Sequence, residues 1–124
     1  MQVKIDTREK FHVITINEPF FAANMTAELD NSLLSLLQND VKNFVLNLKD
    51  IKSMDIAAAE HLVKLQQNYY EQNASFVVCG LQKEVEEMLE KAELLELMNV
   101  TPTESEAADI VIMEEIEREL LDEE

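Results

Sequence analysis

The amino-acid sequence predicts a single α/β domain, a small and mostly parallel sheet of four or five strands packed by four helices. Three observations carry this prediction. Apolar residues recur at period two in some segments and near period 3.6 in others, and the two kinds alternate along the chain. The runs Val41 to Leu48 and Ser75 to Cys79 are largely apolar and β-branched, as befits strands buried on both faces. The later strands are also separated by helical segments, a connection that makes neighbouring strands parallel. A chain of 124 residues with a hydrophobic fraction of 47% supports one core and leaves no room for a second domain.

Each element has its own signal. Val3 and Ile5, then Val13, Ile14 and Ile16, read as two short strands joined by a polar turn at Arg8, Glu9 and Lys10. Pro19 ends the second strand and opens a loop. Asn24 and Thr26 are both candidate N-caps for a helix with Leu29, Leu33, Leu36 and Leu37 on one face. Val41 to Leu48 is the central strand. Ile56 to about Gln72 follows as a helix with Ala59, Leu62, Val63, Leu65 and Tyr69 spaced for burial. The strand from Ser75 ends at Gly80, the only glycine. Gln82 to Ala92 is a charged helix with Val85, Met88 and Leu89 facing inward. Leu94 to Val100 reads equally as a helix end or a short edge strand. Thr103, Glu104, Ser105 and Glu106 have capping-box spacing, which starts the last helix at Glu104. That helix carries Ala108, Ile112, Ile116 and Leu120 four apart, with Val111 beside them, against an otherwise acidic surface.

Charge narrows the function classes. The formal net charge is −16, which opposes binding to nucleic acid and to anionic membrane surfaces. From Glu104 to Glu124 there are ten acidic residues against one Arg, so the excess concentrates in the tail. Such a tail reads first as solvated charge and second as a contact for a basic partner. Met1 to Thr7 is short, charged and strand-like, with no secretory character. No apolar run approaches the ~18 residues of a membrane span. One cysteine, Cys79, fits a reducing compartment, and a cytoplasmic location is expected.

Catalytic chemistry finds little to stand on. His12 and His61 lie far apart, without a further His or Cys at metal-ligand spacing, and read as surface histidines. Cys79 has no cationic neighbour in sequence and reads as an inert core thiol. A chain with a single glycine cannot build a glycine-rich phosphate loop. No enzyme activity, cofactor or metal is expected. The informative segment is Asn47 to Asp55, which leads from a buried strand into a helix, with Asp55 placed to cap the first-turn amides.

The order of elements, with Val45-Leu46-Asn47-Leu48 followed by Met54-Asp55, resembles the STAS domain family, which includes bacterial anti-sigma-factor antagonists and cytoplasmic parts of sulphate transporters. Phe76-Val77-Val78-Cys79-Gly80-Leu81, Val100-Thr101-Pro102-Thr103 and Glu106-Ala107 agree with it in order and spacing. The resemblance runs from about Val3 to Ile112, so the domain is assigned to residues 1–112. Residues 113–124 form an acidic extension of the last helix. In the antagonist branch the strand-to-helix turn reads Asp-Ser-Ser-Gly, and a partner that is both anti-sigma factor and kinase phosphorylates the second serine. Here the matching residues are Asp55, Ile56, Ala57 and Ala58. The aspartate is kept and both serines are lost. A family acidic residue in the loop after the second strand is replaced within Phe20-Phe21-Ala22, and a central-strand aspartate is Asn47.

Alanine has no hydroxyl, so Ala57 is a phospho-acceptor equivalent that cannot accept a phosphoryl group. Ser53 precedes Asp55 and is not expected to replace it. The resemblance thus implies a non-catalytic protein-binding domain in a partner-switching pathway of transcription regulation. Its partner would be an anti-sigma factor or kinase-like regulator, bound through Met54, Asp55, Ile56, Ala57, Ala58, Phe20 and Phe21. The alternative is a STAS subunit of a lipid- or anion-transport complex. Ile116, Leu120 and Leu121 are expected to pack on the domain or on a second copy, as a homodimer.

Overall fold

A computed structural model describes residues 1–36 and 41–122. Leu37, assigned above to the first helical face, lies outside the described residues. Seven strands and four α-helices are present among them: β1 (Val3–Thr7), β2 (His12–Ile16), β3 (Phe20–Phe21), α1 (Thr26–Leu36), β4 (Phe44–Asn47), β5 (Ser53–Met54), α2 (Ile56–Glu71), β6 (Phe76–Cys79), α3 (Lys83–Lys91), β7 (Val100–Thr101) and α4 (Glu104–Asp122). Five strands form the main sheet in the order β1-β2-β4-β6-β7. The β1–β2 hairpin is antiparallel and every other pairing in that sheet is parallel.

The side-chain period of two splits the sheet into two faces. Ile14, Ile16, Phe44, Leu46, Phe76 and Val78 turn toward Leu29 and Leu33 of α1, Ala59 and Leu62 of α2, and Val85 and Leu89 of α3. Val13, Val45, Val77 and Cys79 turn the other way, against Ala107 and Val111 of α4. Three helices therefore cover one face and one helix covers the other. Burial on both sides is what the continuous apolar runs of β4 and β6 require.

Several local expectations change. Phe20 and Phe21 are not plain loop: they form β3, which pairs in parallel with β5 as a separate two-stranded sheet. The Pro19 carbonyl accepts from the Lys52 amide at 2.7 Å, so the chain break at the proline is also an anchor. Neither Asn24 nor Thr26 caps α1. A 3-10 turn, Ala23–Met25, runs straight into the helix, and the Thr26 hydroxyl donates back to the Ala23 carbonyl at 2.8 Å. Leu94 to Val100 resolves into a 3-10 turn, Leu95–Leu97, followed by edge strand β7. The last helix does start at Glu104, where the Thr103 hydroxyl accepts from the Glu106 amide at 3.2 Å and donates to its carboxylate at 3.0 Å. Gly80 has φ +76°, the left-handed region that favours glycine, and a Cβ there would meet Asn47 Oδ1 at 2.8 Å.

His12 corrects the reading of surface histidines. It is buried in β2 beside Phe44, with ring centroids 5.3 Å apart. Its Nδ1 shares a hydrogen bond with Thr7 Oγ1 at 2.9 Å, and Nε2 has no hydrogen-bond partner among the described residues. His61 is half-buried and bonds Asp30 through Nε2 at 2.7 Å. Ile116, Leu120 and Leu121 do not pack on the domain: all three are exposed along α4.

Candidate functional site

The site forms where the small sheet meets α2. The Phe21 carbonyl accepts from the Asp55 amide at 3.0 Å, and Phe21 pairs with Met54 across the β3–β5 ladder. Both side chains are buried, as is Ala58. Phe20, one residue earlier, points to solvent and is 41% exposed, opposite the exposed Ser53. Alternation along two short paired strands thus sorts the residues: Phe21 and Met54 support the surface from below, and Phe20 stands on it.

Asp55 occupies the N-cap position of α2, with extended backbone angles, yet its carboxylate makes no bond to the first-turn amides. Oδ2 instead accepts from the Ala23 amide at 2.9 Å. The aspartate therefore ties the turn after β3 to the start of α2 rather than capping its own helix, which corrects the expected role. The bond ties the Phe20–Ala23 segment to the start of α2, where the resemblance groups Phe20 and Phe21 with Ile56 and Ala57.

Ile56 is 55% exposed and Ala57 is also exposed. Ile56 lines a groove whose other wall is α3, with Met88, Lys91 and Ala92 at its floor and rim. The contribution of α3 is absent from the sequence reading, which placed Met88 simply inside. Met88 is half-buried and lines the groove together with Ile56 of α2. The surface is apolar at Phe20, Ile56 and Ala57, with Glu84 and Glu87 along the α3 edge.

The thiol of Cys79 is buried, and burial together with Glu104 pushes it up to about 12, so it stays protonated. No group of three or more His, Cys, Asp or Glu that could hold a metal occurs among the described residues. No described helix is long and apolar enough to cross a membrane.

The geometry agrees with the comparisons to known proteins. The family model of the STAS domain matches residues 2–107, and the chain belongs to the STAS domain family. Solved structures with the same fold include an anti-sigma factor antagonist of Thermotoga maritima, described as putative. It is 16% identical, with a TM-score of 0.72 over 88% of this chain and 93% of that one. A substituted RsbS of Moorella thermoacetica is 17% identical, with a TM-score of 0.72 over 90% and 95% of the two chains. A murine Solute Carrier 26 anion transporter is 14% identical, with a TM-score of 0.67 over 83% of this chain but 18% of the transporter. Compared with curated protein sequences, the chain has no significant match.

Proposed function

We propose that this STAS domain is a protein-binding regulator of the partner-switching type, and that it docks its partner through the start of α2 without being phosphorylated there. The observation that carries the reading is Ala57, exposed in the first turn of α2, which the resemblance to the antagonist pattern matches to its acceptor serine. Phe20 on β3 and Ile56 at the start of α2 each add exposed apolar area, the property that marks a protein contact. Met54, Phe21 and Ala58 are buried and serve as the support of this surface; Asp55 fixes its shape through Ala23. The partner is an anti-sigma factor or a related kinase-like regulator. With no hydroxyl at residue 57, complex formation escapes the electrostatic off-switch that a phosphate would supply.

Affinity purification from the native organism, comparing wild type with Ala57→Glu, tests the surface. A glutamate in the first turn favours the helix macrodipole, so the variant keeps its fold while adding charge where the partner docks. Regulatory proteins retained by wild type and lost by Ala57→Glu support the reading. An unchanged set of partners removes this face from binding.

The transporter neighbour favours one second reading, a STAS subunit of a lipid- or anion-transport complex. Co-purification of a membrane permease or transport ATPase in place of a soluble regulator selects it.

A further inference from the structure

The two sides of α4 differ in kind. Its inner side is locked to the sheet along most of its length. Ala107 and Val111 are fully buried. The Glu114 carboxylate accepts from the Ser75 and Tyr70 hydroxyls at 2.7 and 2.8 Å. Arg118 donates through Nη2 to Asn43 Oδ1 and Ser75 Oγ at 3.0 Å, and to Glu115 at 2.9 Å. With these anchors spread from Ala107 to Arg118, the helix cannot roll to bury its other side.

That other side is apolar. Met113, Ile116 and Leu120 are 60%, 45% and 59% exposed, and their spacing of three and four residues forms one seam. Ile112 and Ala108 continue it into a groove that α4 makes with Arg8 and Phe11 of the β1–β2 turn. The exposed residues around the seam are acidic: Glu106 and Asp109 lie one to two turns before Met113 in line with it, and Glu117 and Glu119 lie beside Ile116 and Leu120. Among the described residues Arg118 is the only cation of α4, and it points inward; Lys10 beside the seam already pairs with Glu119 at 3.2 Å.

The spacing of the seam selects a helix as its occupant, and the charge selects which helix. A second copy of this chain would set acid against acid, in molecules that each carry −16. We infer that the outer face of α4 is a second docking surface, for an amphipathic helix of a partner protein whose apolar edge is bordered by Lys and Arg. Because α4 and α2 cover opposite faces of the sheet, this surface is separate from the α2 start and both can be occupied together.

The test uses the full chain and two synthetic helical peptides with the same apolar edge, one bordered by Lys and one by Glu, titrated by fluorescence anisotropy. The Lys-bordered peptide is expected to bind wild type and the Ile56→Ser variant equally. Binding should weaken about tenfold or more in Ile116→Ser/Leu120→Ser, as expected when two anchors are removed. The Glu-bordered peptide should not bind. Because both serines replace exposed residues, unchanged far-UV circular dichroism is the expected control; Met113→Ser replaces the pair if helix content drops. Equal binding by the double variant would show attraction to bulk negative charge alone and overturn the inference. So would absence of binding, equal affinity for both peptides, or a concentration-dependent dimer that the double variant abolishes.

Discussion

Asp55 illustrates how far one carboxylate can act from its place in the sequence. Its sequence context reads as an N-cap, but its acceptor oxygen goes to Ala23, so its role is to hold the β3 turn against α2. Asp55→Ala is expected to lower unfolding stability by about 1 kcal/mol, a modest value because the bond is exposed to water. Asp55→Asn, which keeps an acceptor, should lose less. Urea denaturation measures both, and an unchanged Asp55→Ala midpoint would deny the tie. His12 makes a second prediction at this scale. Burial lowers its imidazole below the ordinary histidine value. The unfolded chain therefore takes up this proton first as pH falls. The His12 contribution is complete above the unfolded value of about 6.5 and is lost progressively below it. His12→Phe, which keeps an aromatic ring beside Phe44, should flatten the decline in melting temperature between neutral and mildly acidic pH. A decline as steep as that of wild type would contradict the assignment.

At the scale of elements, α4 depends on a buried polar cluster that joins it to the starts of β4 and β6. Asn43 is the hub. Its amide nitrogen donates to the Lys10 carbonyl and to Glu115, both at 3.0 Å, and its oxygen accepts from the Ser75 amide at 2.8 Å. Asn43→Ala leaves several of these groups without a partner in a buried site and should cost about 3 kcal/mol in chemical denaturation. A loss no larger than that of a surface substitution would show that water replaces the hub. Asn43, helped by Arg118, also holds the Glu115 carboxyl below its ordinary value. That contribution is present above the unfolded glutamate value and disappears as pH falls through the folded one. Asn43→Ala should accordingly reduce the acid sensitivity of stability below about pH 4.3. The order of the helices and main strands was legible in the sequence because hydrophobic period is a local signal, and the Thr103 capping box marked the start of α4; the central strand is shorter than its apolar run, Phe44–Asn47 within Val41 to Leu48. The face of α4 was not. The series Ala108, Ile112, Ile116 and Leu120 suggests a single buried stripe, yet four residues overshoot a 3.6-residue turn by about 40°. The stripe therefore winds from the groove to the outside, while the buried positions are Ala107 and Val111.

Over the whole molecule, the sheet sorts its functions by face and by end. Parallel strands buried on both sides leave only loops, helix starts and outer helix faces for recognition. The segment before Asp55 was legible as a candidate surface, because it leads from a buried strand to a helix start; that the two-residue strand β5 intervenes was not. What was not legible came from long-range pairing: β3 with β5, Asp55 with Ala23, and Ile56 with the α3 groove. These join segments whose local patterns say nothing of one another. The net charge of −16 adds a property of the whole chain. Like charges repel in the compact state, so moderate added salt should raise the melting temperature by screening. A fall on adding sodium chloride would mean that specific ion pairs, such as Lys10 with Glu119, outweigh the repulsion.

The docking face proposed at the start of α2 lacks a phosphorylation switch of its own. Its most direct test is the complex with an anti-sigma kinase recovered as partner in the affinity purification, challenged with ATP and followed by size-exclusion chromatography with phosphate mapping by mass spectrometry. The wild-type complex should survive ATP with no phosphate in the β5–α2 segment, whereas Ala57→Ser should become phosphorylated at residue 57 and release its partner. Release of wild type by ATP, with stoichiometric phosphate on Ser53, would contradict it.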